Sequence, residues 1–134
     1  MIEASLYEHL KDTAAVAAIV AARVYPAVAP QAAAMPAISY LLTNRQEEED
    51  LDGGIGLWKA TVQVSCWAAT YQAAKELAEA VGEALDDHEG PMGAAEVTTV
   101  DDCRRIGELD LVIPPAGDDG RYHVPLDFEI TYLE

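Results

Sequence analysis

The chain has 134 residues, with 24 acidic and eight basic side chains and a formal net charge of −16 at pH 7. A chain of this length forms about one domain, so we expect residues 1–134 to be a single domain. The cations are few and scattered, which argues against sequence-specific nucleic-acid binding. No apolar stretch approaches the ~20 residues of a membrane span, and the acidic N-terminus does not resemble a signal peptide. We therefore expect no membrane association and synthesis in a reducing cytoplasm.

The first third of the chain combines helical periodicity with a run of prolines. Residues 2–10 repeat apolar side chains at helical spacing, and Asp12 is expected to cap a second, alanine-rich helical turn. The segment after Tyr25 contains Pro26, Pro30 and Pro36. Proline lacks a backbone N–H, so this segment is predicted to be an extended arm on the surface or toward a neighbour, and not a central strand.

The next segment predicts a hairpin with a charged tip. Residues 37–45 have the pattern of a strand, and a second strand is expected to begin near Gly56. Between them, Gly53 and Gly54 are expected to form the turn. The tip places one apolar residue among acids, which is a pattern of docking elements as well as of solvated loops. Its candidate interface residues are Glu47, Glu48, Glu49, Asp50, Leu51 and Asp52.

Residues 58–87 change from a strand period to a helix period. Alternate residues from Trp58 to Cys66 are apolar, which predicts a strand with one covered face. Trp67 falls on the polar side of this strand and is a further candidate for an interface. From residue 70 to 87 the apolar residues recur at three- and four-residue spacing, which predicts an amphipathic helix packed on the sheet.

The C-terminal part predicts further strands. Residues 95–100 and 103–113 have weak strand patterns, which follow a Gly-Pro-Met-Gly break, and residues 121–133 alternate most regularly. The whole pattern predicts an α+β fold. We expect a mainly antiparallel, mixed sheet of about four to five strands with helices packed on one face.

The sequence contains no pattern typical of a catalytic, cofactor or metal site. It lacks HExxH, GxSxG, phosphate-loop and dinucleotide-binding motifs, so we expect no enzyme activity, no cofactor and no bound metal. The three histidines have no local ligand partners and are expected at the surface. Cys66 lies on the apolar side of its strand and is expected to be a buried structural thiol.

Several segments together resemble the tail-completion or tail-terminator family of long-tailed bacteriophages and gene transfer agents. They are IEASLYEHLK, RVYPAVAPQ with PAISY, DLDG, VQVSCWAATYQAAKELAEAVGEAL and GRYHVPLDFEITY. The resemblance implies a structural virion protein that forms a hexameric ring at the head-proximal end of the tail. Such a ring caps the tail tube, stops its polymerisation and provides the surface for the head. It further implies contact with the tail tube protein and a head-completion or connector protein, passage of DNA without specific binding, and assembly in the host cytoplasm.

Three other hypotheses remain at this point. The chain could be a head-completion or connector protein of the same particle, a free-standing acidic binding module of the bacterial cytoplasm, or an enzyme without a recognisable motif. A hexamer on a sizing column favours the ring, whereas a monomer that binds a small molecule favours the last two.

Overall fold

The computed structural model describes residues 2–21, 23–27, 34–50, 53–95, 97–108, 111–113 and 121–133. For residues 48–50, 53–55, 111–113 and 121 it describes the backbone alone. The helices are α1 (Ile2–Asp12), α2 (Ala14–Val20) and α3 (Tyr71–Leu85). The strands are β1 (Val24–Pro26), β2 (Ala37–Asp50), β3 (Gly53–Ala68), β4 (Gly90–Met92), β5 (Thr98–Glu108), β6 (Leu111–Ile113) and β7 (Arg121–Leu133).

The strands form one mixed sheet in the order β1-β2-β3-β7-β5-β4, and β6 pairs with β7 beside this path. Only the β1–β2 pair is parallel among the described strands. The predicted α+β class and the mainly antiparallel sheet are therefore confirmed. The predicted count of about four to five strands is wrong, because seven strands take part in the sheet within the described residues.

The miscounted strands are short or irregular. β1 and β4 each contain a proline, which an edge strand tolerates because one side of its backbone needs no partner in the sheet. The predicted strand at 95–100 and the start of the one at 103–113 are a single strand, β5. A register shift between Val100 and Asp102 marks a bulge where the sequence pattern is interrupted. The predicted break at 90–93 contains β4.

The core lies between the helices and one face of the sheet. Its helical residues form the inner stripes of all three helices, and most of its strand residues belong to the predicted apolar alternation in β3 and β7. The other strands add Val24, Ile38, Met92, Val100 and Cys103. Val62, Val64, Cys66, Leu126, Phe128 and Ile130 are all at most 2% exposed. The prediction that the helices cover one face of the sheet is confirmed.

Helix capping differs from the prediction at one helix. The cap residue of α2 is Thr13 and not Asp12, and its side chain donates to the carbonyl of His9 at 2.6 Å, so it does not cap the helix. α3 begins after Thr70, whose hydroxyl accepts a hydrogen bond from the Ala73 N–H at 3.1 Å. This contact satisfies one of the free N–H groups of the first helical turn.

The β2–β3 hairpin is longer than the sequence predicts. Pairing continues to Asp50 opposite Gly53, so residues 46–50 are strand and not a loop. Gly53 and Gly54 lie inside β3 and do not form the turn, which corrects that prediction. The glycine that the backbone requires is Gly56, with a φ of 76°, at the register shift between Glu47 and Glu49.

Cys66 provides a test of the buried face. Its side chain is 0% exposed, and burial raises the pKa of the thiol. We expect Cys66→Ser to lower the free energy of unfolding by about 1–3 kcal/mol, because the new hydroxyl would be buried without a ready partner. Cys66→Val, which keeps the site apolar, is the matched control and should cost less. Urea denaturation of the two variants measures the difference, and equal losses would show that the hydroxyl is not the cause.

Two histidines hold the helical layer together near the end of α3. The rings of His9 and His88 are in edge contact, with centroids 4.6 Å apart. His9 Nε2 lies 2.8 Å from the Ala84 carbonyl oxygen, and His88 Nε2 lies 3.1 Å from the Pro91 carbonyl oxygen. All three histidines are partly buried, so the expectation that they are surface residues holds only in part.

This contact predicts a pH dependence of stability. Burial lowers the pKa of His9 and the neighbouring His88 lowers it further, although the hydrogen bond to Ala84 and the charge of Asp12 act in the opposite direction. The unfolded chain therefore binds this proton more tightly than the folded chain. The stabilisation is present above pH 6.5, the ordinary pKa, and is lost as the pH falls below it. His9→Gln should lose less stability than the parent between pH 7.5 and 5.5 in thermal melts, whereas an identical loss would contradict this assignment.

Candidate functional site

The candidate interface residues are distributed between two opposite ends of the sheet. Tyr25, Pro26, Pro36 and Trp67 lie where β2 begins and β3 ends, because β1 pairs with residues 38–40 and Ala37 pairs with Trp67. The acids that begin at Glu47 lie at the far end of the β2–β3 hairpin. At ~3.3 Å per residue these groups are about 30 Å apart, so the described residues form two surfaces and not one site.

At the first end, two of the proline positions are part of the folded domain. Pro26 ends the edge strand β1, with its side chain exposed, and Tyr25 beside it is half-buried. The carbonyl of Pro36 accepts a hydrogen bond from Arg23 Nε at 2.8 Å. The predicted arm is therefore anchored to the sheet at both of its described ends. Pro30 lies outside the described residues.

Trp67 belongs to a cluster on the sheet face away from the helices. Its Nε1 donates to Ser39 Oγ at 3.0 Å, and its ring stacks on His123 with centroids 4.0 Å apart. Burial lowers the pKa of His123, and its Nε2 has no hydrogen-bond partner among the described residues. Trp67 is thus a partly exposed aromatic residue held by two contacts within the sheet, and its role at an interface stays a prediction.

The sequence pattern identified Trp67 but not its partners. Ser39 and His123 are far from it in the chain, and they meet it because β3 lies between β2 and β7. Trp67 pairs with His123 in the β3–β7 register, so their side chains are on the same face. The alternation in β7 is enough to place His123 on the polar face of the sheet. It does not indicate the contact between His123 and Trp67.

The second end is the hairpin, whose base is held by contacts between three strands. The Arg45 guanidinium lies 4.0 Å from the centre of the Trp58 ring, and Arg45 Nε donates to Tyr132 Oη at 2.8 Å. These contacts support the hairpin close to Glu47, which pairs with Trp58 and is half-buried. Because β7 ends at Leu133 opposite Leu57, the hairpin projects beyond it by roughly 10–15 Å.

The structure describes only part of the tip. The backbone of Glu48, Glu49 and Asp50 continues β2, whereas their side chains lie outside the described residues. Leu51 and Asp52 lie outside them altogether. The role of these five residues in docking stays a prediction.

A groove of about 580 Å³ lies between α3 and β5. Charged residues make up most of its walls, including Glu76, Glu79, Glu83, Lys75 and Arg105. Arg105 bridges Asp86 at 2.7 Å and Glu108 at 3.3 Å. Small-molecule sites are mostly apolar with a few polar groups, so this groove does not have the composition of such a site.

Within the described residues, no group of three or more His, Cys, Asp or Glu side chains is arranged to hold a metal ion. Among the helices that the structure describes, none is long and apolar enough to cross a membrane.

Comparison with known proteins assigns the family. The family model described as "Tail completion protein gp17" matches residues 4–133. The fold is similar to a chain in the solved structure "Virion of native gene transfer agent (GTA) particle", with a TM-score of 0.72 and 22% sequence identity over 99% of this chain and 95% of that chain. No curated protein matches the sequence. The family match covers nearly the whole chain, so the resemblance seen in the sequence is confirmed and the chain belongs to the tail completion protein gp17 family.

Proposed function

We propose that this tail completion protein is a tail terminator, a non-enzymatic subunit of a hexameric ring at the head-proximal end of the tail. The ring caps the tail tube, stops its polymerisation and offers a docking surface for the head. The observation that carries the proposal is the family match over residues 4–133. The fold shared with a chain of a gene transfer agent virion supports it.

The two candidate surfaces suit a subunit between two different partners. The Trp67 cluster and the hairpin tip lie at opposite ends of the same strands. If the strands run roughly along the ring axis, one end meets the tube protein and the other meets the connector. Such a subunit needs no catalytic residues, because its activity is to bind a different partner at each end.

The charge of the chain suits a ring through which DNA passes. With 24 acids against eight bases, the subunit repels phosphates and does not hold them. This repulsion acts over about 8 Å at physiological salt, which is enough to discourage DNA from adhering to the wall of a channel. DNA can then slide through without specific binding.

A connector or head-completion role in the same particle is the second candidate. A connector would use the same two surfaces. The two roles differ in the tails that are made when the chain is missing. Particles made without a terminator should have tails of uncontrolled length, whereas particles made without a connector should have tails of normal length that do not join heads. The length of the tails produced without this chain therefore distinguishes the two.

Ring formation should depend on salt. Every subunit carries a formal charge of −16, so repulsion between copies opposes assembly at low ionic strength. We expect the free protein to shift from monomer toward hexamer as sodium chloride rises from about 0.05 to 0.5 M, a range over which the screening length falls severalfold. Light scattering, with and without tail tubes, measures this shift. A monomer at every salt concentration, absent from purified particles, would contradict the ring.

A further inference from the structure

The outer edge of β2 is covered along only part of its length. β1 pairs with residues 38–40, where Ile38 donates to the Arg23 carbonyl and the Tyr40 carbonyl accepts from Ala27. From Leu41 to Asp50 no described strand lies on this side. Backbone N–H and C=O groups on an uncovered edge can pair with another chain.

The opposite edge of the sheet has a similar opening. β4 pairs with β5 only at residues 98–100. Beyond them, from Asp101 to Glu108, no described strand borders the outer side of β5, and one backbone bond, from Asp87 N to the Cys103 carbonyl, reaches it. Ile106 on this stretch is 50% exposed, and Leu41 on the β2 edge is 45% exposed.

We propose that the open edge of β2 (residues 41–50) pairs with the edge of β5 (residues 101–108), which is open apart from the Cys103 carbonyl, of a second copy of this chain. The contact is heterologous and antiparallel, and it repeats around the ring. This inference rests on the proposed ring, because it specifies the lateral contact between neighbouring subunits.

Strand direction supports this pairing. Along the path β2-β3-β7-β5 every neighbouring pair is antiparallel, so β2 and β5 run in opposite directions. If the next subunit is placed beside the first with the same orientation, its β2 meets β5 of the first subunit as an antiparallel neighbour. Each subunit then uses both open edges, which is what a head-to-tail ring requires.

Charge disfavours pairing between two β2 edges and is less unfavourable for pairing of β2 with β5. Residues 41–50 carry one arginine and four acids, so two β2 edges repel each other. Residues 101–108 carry Arg104 and Arg105 with three acids, which makes this edge less acidic. Arg104 is accessible, since its side chain is 61% exposed. Pairing of two β5 edges would bring the arginine pairs of two copies together.

Both edges have features that limit indiscriminate pairing. Register shifts mark bulges near Thr43 and Ile106, and both strands are rich in charge. Bulges and charges are common on edge strands because they prevent aggregation. An edge of this kind pairs well only with a strand of complementary shape and charge, and repulsion between copies keeps the free subunits apart until salt or the tail tube favours assembly.

Cysteine pairs test the contact and its direction. Thr43→Cys or Gln46→Cys on β2 would be combined in turn with Asp101→Cys, Arg104→Cys or Ile106→Cys on β5. Within one subunit these strands are separated by β3 and β7 and lie about 14 Å apart, which is too far for a disulfide. Cys66 and Cys103 are buried, and burial raises the pKa of the Cys103 thiol to about 12, so neither competes.

Oxidation of salt-assembled rings or purified particles should give covalent oligomers up to the hexamer on non-reducing gels. The best partner on β5 should move to a lower residue number when the β2 cysteine moves from 43 to 46, as an antiparallel pair requires. Hexameric rings without these disulfides would overturn the edge contact and leave the proposed function standing. Absence of any ring of this subunit would overturn the proposed function, and the contact with it.

A charge reversal gives an independent test. Arg104→Glu on the β5 edge should lower the association constant about fivefold per interface, the upper range for a cross-strand charge pair. Lys59→Glu is the matched control: Lys59 is 3.9 Å from the same Glu129 that Arg104 contacts at 3.0 Å, but it lies on the inner strand β3. Equal losses of assembly in sedimentation experiments, with both variants folded, would overturn the proposal.

Discussion

Phe128→Ala should destabilise the domain by about 3–5 kcal/mol, the usual cost of removing a buried phenylalanine. Phe128 is the only phenylalanine in the chain and is 0% exposed. It lies on β7 between Val62 on β3 and Arg105 on β5, so the cavity would open at the centre of the core. A domain of this size has about 5–15 kcal/mol of total stability, and the variant should accumulate poorly at 37 °C.

Leu133→Ala on the same strand is the matched control for Phe128→Ala. Leu133 is 52% exposed, so its truncation should change the free energy of unfolding by no more than about 0.5 kcal/mol. Urea denaturation of both variants gives the comparison. A loss below about 1 kcal/mol for Phe128→Ala would show that the core is not organised around this side chain.

Removal of the hairpin tip should abolish head–tail joining while the domain stays folded. Glu47 on β2 pairs with Trp58 on β3. Replacing residues 48–57 by Asn-Gly therefore joins this pair through a two-residue turn. Only Leu57 of the removed residues pairs with β7, so few core contacts are lost. Melting should be nearly unchanged, while electron micrographs should show unjoined heads or tails of uncontrolled length.

Two further variants separate charge from contact at the tip. A variant in which Glu47, Glu48 and Glu49 are all replaced by Gln keeps the length of the hairpin but removes three of its negative charges. Leu51→Ala removes the apolar side chain alone. If the acids only keep the subunit soluble, the shortened hairpin and both variants should assemble normally. Wild-type infectivity or gene transfer from all three would remove the tip from the account and leave the segment from Tyr25 to Pro36 as the better candidate.

The features predicted well are those set by residue periodicity. The covered faces of β3 and β7 and the inner stripe of α3 agree with the sequence, because burial of one face imposes a period of 2 on a strand and 3.6 on a helix. The same argument placed Cys66 in the core and Trp67 on the opposite face. These residues carry their signal locally, so a single sequence is sufficient.

The features that were missed depend on pairing between distant segments. Gln46–Asp50 and Gly53–Gly54 have low strand propensity, yet they form strands because β2 and β3 continue to pair beyond the core. β1 and β4 are too short for a periodic pattern. The stacking of Trp67 on His123 and the two open sheet edges follow from the order of the strands, which the sequence alone did not provide.

The central claim is the position and symmetry of this subunit in the particle. Electron microscopy of purified particles that carry the chain with a C-terminal label, followed by averaging of the neck region, tests it most directly. The account predicts one hexameric ring of label between the end of the tail tube and the head, and none along the tube. Label absent from the particles, or located in the head shell or along the whole tail, would contradict it.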